Sequence, residues 1–196
     1  MAAPSPEQVR RHLCYELKWM LWAVDRFEQS VRVSRSAEGH DGAAADAIAF
    51  QDSALLHARN LVEFAAAAAQ PTESLEPKDH WALSDILGTH RRKVPGSLQR
   101  FLNNWVVHLG AGRASESKWP KDLEGQAIAN DDDARLSKLV EVVFKLLKPK
   151  HRTTTMQTEE GIAYLTLLDQ AREYFDQRTP EAFEHLSCDG PPVPAP

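Results

Sequence analysis

No run of about 18 consecutive apolar residues occurs anywhere in the chain, and no basic start leads into an apolar stretch at its N-terminus. Membrane spanning and secretion therefore lack support. Cysteine is scarce: Cys14 sits in an apolar helical pattern and Cys188 near the C-terminus, a pair that does not resemble a disulfide framework. A reducing compartment fits that usage, and the cytoplasm is the expectation. Also missing are a Gly-rich phosphate loop, a G-x-S-x-G elbow and a C-x-x-C pair, which removes several enzyme classes. Eight histidines are present, yet none follows a Glu by three residues or lies four from another His, the spacings that stack two ligands on one helical face. Neither a metal nor a cofactor is expected. Positive charge is not in excess either: 23 Lys and Arg stand against 28 Asp and Glu, a net charge of −5. Such a balance argues against a surface shaped as a whole to hold duplex DNA. The local basic clusters, Arg91-Arg92-Lys93 and Lys148 to Arg152, read as solvated helix ends.

What remains is an ordinary globular composition, 42% hydrophobic and 26% charged over 196 residues, enough for one domain with a substantial core. Every strongly periodic segment has helical spacing. Ser5, Pro6 and Gln8 form a helix-start signature, and Val9, Leu13, Leu17, Met20, Val24, Phe27 and Val31 follow as one apolar stripe. Tyr15, Trp19 and Trp22 form a second, aromatic stripe, read as core in preference to an interface. A loop over Ser36–Gly42 precedes a second, alanine-rich helix from about Ala43 to Gln70. A short helix ends near Gly88, and another carries Leu98, Phe101, Leu102, Trp105, Val106 and Leu109 on one face. Leu136 to Leu147 gives the next, stopped by Pro149. The last long helix starts near Thr158 with Ile162, Leu165, Leu168 and Phe175 as buried candidates, and Pro180 opens a final short turn. The expected fold is all-α, an irregular bundle of about five major helices with short extra helical turns. Residues 1–187 form the single domain, and 188–196 form a Pro-rich, disordered or polyproline-like tail. For that tail the functional alternative is a proline ligand for an aromatic groove.

Two polar segments resist a bland reading. In the second helix, His57 shares a stripe with Phe50, Ala54, Leu61 and Phe64, so it is expected to be partly buried and to need a partner. Asn60 lies one turn on, while Arg59 and Glu63 are spaced to pair on the helix surface. In the following well-marked helix, Arg100, Asn104 and His108 recur every four residues, a donor-rich stripe suited to a carboxylate, a phosphate or a polar partner helix. The competing account is a satisfied network between helices. The two helices are expected to pack directly and to place His57, Asn60 and His108 in one cluster.

Together, His57-Ala-Arg-Asn-Leu and the run from Asn104 through His108-Leu109 to Arg113, then Trp119-Pro120, resemble a widespread group of uncharacterised bacterial helical proteins distantly similar to HEPN-type domains. The resemblance covers residues 50–120. In HEPN ribonucleases an Arg and a polar residue precede a catalytic His by a short fixed interval on one helix. Arg59-Asn60 supplies the first half of that pattern, but positions 64–66 are Phe, Ala and Ala, and Arg100 stands eight residues before His108. The resemblance thus implies a degenerate or non-enzymatic binding module that works through a protein partner or as a homo-oligomer. Its binding set would be His57, Arg59, Asn60, Asn104, His108 and Arg113. The alternative is a metal-independent ribonuclease or nucleotide-processing enzyme, with RNA or a nucleotide as substrate and His57 and His108 as base and acid. A third reading is a purely structural bundle.

Overall fold

The computed structural model describes residues 5–36, 41–67, 94–107, 135–149, 155, 157–186 and 188. Among these residues the fold is all-α: α1 (Pro6–Arg35), α2 (Asp41–Ala67), α3 (Gly96–Val107), α4 (Arg135–Leu147), α5 (Glu159–Gln177) and α6 (Pro180–His185), with no strand. The capping box forms as its residues dictate: Ser5 Oγ accepts from Gln8 N at 3.2 Å, and Gln8 Oε1 accepts from Ser5 N at 2.8 Å. The α1 stripe faces inward, with Leu13, Leu17, Met20, Val24 and Phe27 buried. α1 and α2 form the principal helix pair, and small buried residues on α2 (Ala47, Ala54, Ala58 and Ala65) let neighbouring elements approach its backbone. α2 also packs on α3 and α4, α5 packs on α1, and α6 folds back on α5.

α4 is buried on most of its circumference, through Leu136, Leu139, Val140, Val142, Val143, Phe144, Leu146 and Leu147. Its C-terminal carbonyls are tied down from α5, where the buried Tyr164 hydroxyl donates to Leu147 O. α5 begins with Thr158 Oγ1 accepting from Gly161 N at 3.0 Å and ends at Arg178, which takes a left-handed backbone at φ 55°.

Some expectations need correction. Cys14 and Cys188 are joined by a disulfide, with 5.3 Å between their Cα atoms across 174 positions of sequence. The pairing was hidden because the chain after α6 returns Cys188 to α1, a tertiary event that cysteine spacing does not encode. With both cysteines bonded, cysteine usage no longer argues for a reducing compartment, and Cys188 is attached to the domain. Ile162 is 49% exposed, since α5 turns Leu165, Leu168 and Phe175 inward instead. α2 begins at Asp41, inside the expected loop. The short helix near Gly88, the end of the third periodic helix and the tail 189–196 lie outside the described residues.

Candidate functional site

The polar centre of the molecule is a residue that sequence reading passed over. Glu16 falls on the buried face of α1, three residues after Leu13 and four before Met20, and its side chain is only 5% exposed. A carboxylate so placed must be satisfied by partners. α2 supplies them one turn apart: His57 Nδ1 lies 2.7 Å from Glu16 Oε2, and Asn60 Nδ2 donates to the same oxygen at 3.0 Å. His12, four residues back on α1, brings Nε2 to 3.6 Å from the other oxygen. Burial pushes the Glu16 carboxyl up, but the hydrogen bonds from His57 and Asn60 and the nearby imidazoles of His57 and His12 outweigh it and hold the group below its ordinary value.

An ionised Glu16 fixes the imidazole. Nδ1 must carry the proton it donates, so in the neutral ring Nε2 holds the lone pair, and in the charged ring both nitrogens donate. The His57 side chain is 13% exposed. Its Nε2 forms no hydrogen bond among the described residues and is not one of the buried orphaned atoms.

Beside it runs a row of rings. The Tyr15 ring meets His57 edge-on at 5.9 Å, Trp19 is 6.1 Å from Tyr15, Trp22 is 5.3 Å from Trp19, and Phe50 of α2 is 5.4 Å from Trp22. Arg26 lies over Trp22 at 5.6 Å. Tyr15 is 50% and Trp19 37% exposed, so this stripe is not the core that its composition suggested. It points away from the Leu13–Leu17–Met20 face, and Trp22 and Phe50 are more deeply covered, packed against the core.

The remaining candidates go elsewhere. Arg59 lies on a different side of α2 from His57; its Nε donates at 2.9 Å to both Glu63 Oε1 and Asn103 Oδ1, tying α2 to α3. The neighbour of Asn103, Asn104, is exposed and outside that contact. Arg100 donates to Gly96 O within its own helix at 3.2 Å. His108 and Arg113 lie outside the described residues. The structure therefore brings His57 and Asn60 together and separates them from Arg59.

No family model, curated protein or solved structure matches the chain. Among the described residues no group of three His, Cys, Asp or Glu side chains is arranged to hold a metal ion, and no helix is long and apolar enough to cross a membrane. A second polar cluster between α4 and α5 is structural in character. Arg172 donates to Glu141 at 2.6 Å and to Asp176 at 3.0 Å while lying over Phe144 and Phe175, beside a cavity of about 340 Å³. Its charge is already met by two carboxylates.

Proposed function

We propose that the chain is a non-enzymatic binding module, similar to a degenerate HEPN domain, which receives a partner on the α1–α2 face around His57. The observation that supports this is the buried Glu16 carboxylate, which spends its capacity on orienting His57 beside two exposed aromatic rings. A network serving stability alone has no need of a half-exposed Tyr15 and a partly exposed Trp19 at its edge. An oriented imidazole gives direction to a contact, and the rings give it area.

The test separates binding from folding. His57→Asn keeps a donor where Nδ1 stands and removes Nε2, and a Tyr15→Ser/Trp19→Ser pair removes the rings. The Tyr15→Ser/Trp19→Ser pair should keep its unfolding free energy within about 1 kcal/mol of the parent, as surface changes do. His57→Asn, at a position only 13% exposed but with a donor to Glu16 kept, should lose no more than about 1–3 kcal/mol and stay folded. Each should lose capture of the partner that the parent retains. A partner held equally by the parent and both variants, or variants that fail to fold, would overturn the reading.

The setting of His57 supports one alternative, a metal-independent ribonuclease or nucleotide-processing enzyme with His57 as base, in which His108, outside the described residues, would be the acid. An imidazole whose Nδ1 faces a carboxylate presents Nε2 as the atom suited to exchange a proton with a substrate. RNA cleavage that persists in chelator and vanishes in His57→Asn would establish it.

A further inference from the structure

The outer stripe of α1 has the same spacing read in either direction. Tyr15, Trp19, Trp22 and Arg26 are separated by four, three and four residues, and Gln8 and Val33 lie seven residues beyond either end. The eleven residues from Tyr15 to Arg26 make almost three turns, so the two project on nearly the same side of the helix, about 16.5 Å apart at ~1.5 Å per residue. Gln8, Tyr15, Trp19, Arg26 and Val33 are exposed, and Trp22 is partly so. Arg26 is oriented by its own helix, where it donates to Gln29 Oε1 at 3.0 Å and its guanidinium lies 5.6 Å over the Trp22 ring. One end of the row is therefore an open ring and the other a cation.

Such a row is complementary to itself turned end for end. A two-fold interface brings residue i against residue j and j against i. With the axis between Trp19 and Trp22, the indoles of two antiparallel α1 helices meet around it, Tyr15 falls opposite Arg26 of the partner subunit, and the same contact recurs at the other end. Each guanidinium then has two aromatic neighbours, Trp22 of its own chain and Tyr15 of the partner subunit, a contact that strengthens as water leaves it. Parallel pairing in register would set Arg26 on Arg26, and like charges oppose it. Charge also selects the face. The chain carries a net −5, so two copies repel in most orientations, but none of the six residues of the stripe is acidic. In the antiparallel pair the two Arg26 guanidinium groups stay roughly 16 Å apart, beyond the screening length of about 8 Å at physiological salt.

The available area sets the strength. Aromatic side chains cover about 150–250 Å² each, of which Tyr15 leaves 50% and Trp19 37% exposed. With Arg26 and the flanking positions, one copy offers on the order of 500 Å², and the total of roughly 1,000 Å² is the lower bound for a specific interface, that of a reversible dimer. We propose that the occupant of this face is a second copy of the chain, docked antiparallel along α1 about a two-fold axis between Trp19 and Trp22. The assignment rests on the reading above that the α1–α2 face is a binding surface, and it names the partner.

Sedimentation velocity of the full chain from about 5 to 500 µM should show a monomer–dimer equilibrium with a dissociation constant of micromolar order. Arg26→Glu and Tyr15→Arg should each weaken the dimer at least ~10-fold, and Trp19→Ser should lower it below detection over this range. The double substitution Tyr15→Arg/Arg26→Glu should recover most of the loss. It restores an attractive contact between copies, whereas within one chain the two positions are about 16.5 Å apart and cannot compensate each other. All three positions are exposed, so each variant should keep the helical circular dichroism of the parent. The proposal is overturned if the parent is monomeric throughout, if its dimer is indifferent to all three single substitutions, or if the double substitution dimerises no better than either single one. Two further outcomes separate this from the reading it rests on. If the parent is monomeric while the Tyr15→Ser/Trp19→Ser pair loses a different partner, the binding face stands and the self-pairing falls. If the dimer forms and is rescued as above but is unchanged in His57→Asn, the self-pairing stands and His57 has no part in the face.

Discussion

Glu16 shows how far a single residue can be read from its pattern. His57 was legible because an imidazole interrupting an apolar stripe needs a partner, but the partner was not, since a carboxylate within a helical repeat ordinarily turns to solvent. Only the α1–α2 packing places Glu16 opposite His57 and Asn60. Its stability linkage follows from the sign of its shift. The folded carboxyl titrates below its ordinary value of 4.5, so the native state binds fewer protons than the unfolded chain in that range. The stabilisation is complete above the unfolded value and is lost as pH falls through the folded one. Glu16→Gln cannot ionise and should be less stable than the parent near neutrality by about 1–3 kcal/mol, the scale of a buried hydrogen-bonded charge. The difference should shrink as pH drops below 4.5. Urea unfolding of both chains across that range measures it, and parallel curves would show that the Glu16 carboxyl titrates alike in the folded and unfolded chain.

At the scale of the element, helical period located five long helices from sequence but not what lies against each face. Tyr15, Trp19 and Trp22 repeat as regularly as Leu13, Leu17 and Met20, and period alone does not say which set a neighbour covers. The same limit applies to Ile162, which fits the α5 spacing yet stays exposed. Gly161 shows tertiary structure reversing a local preference. In the first turn of α5, alanine would ordinarily favour the helix by up to about 1 kcal/mol. Here a Cβ would stand 1.8 Å from Thr155 O, with Thr158 Oγ1 at 2.9 Å, so the backbone before the helix would have to move. Gly161→Ala should therefore lower the melting midpoint instead of raising it. With roughly 2–4 °C lost per kcal/mol in a domain of this size, a drop of several degrees is expected in a thermal scan. An unchanged or higher midpoint would mean that the approach to α5 yields without cost.

For the whole molecule, the decisive contact joins residues that sequence reading kept apart. Cys14 was assigned to a core helix and Cys188 to a tail, and nothing in a separation of 174 positions identifies them as a pair. The information lies in α6, which Thr179 caps through Ala182 N at 3.2 Å and which Phe183 packs on Tyr174 at 5.2 Å. Lys18 then holds the returning chain at Leu186 O. Because these contacts do not depend on the sulfurs, the fold should survive reduction, and the cross-link should act mainly by restricting the unfolded chain. A loop this long has a limiting entropic contribution of about 5 kcal/mol, and about 2–4 kcal/mol is the usual outcome. Cys14→Ser/Cys188→Ser should thus melt well below the oxidised parent while giving the same helical circular dichroism. Adding a dithiol reductant should bring the parent down to the variant and leave the variant unmoved. Its denaturant slope should also rise when the bond is removed, because an uncrosslinked unfolded chain exposes more surface. A parent indifferent to reductant would show that the two thiols are not bonded in solution. The stretch after α6 would then be held by its noncovalent contacts, among them Lys18 with Leu186 O and Phe183 and the burial of Leu186 in the core.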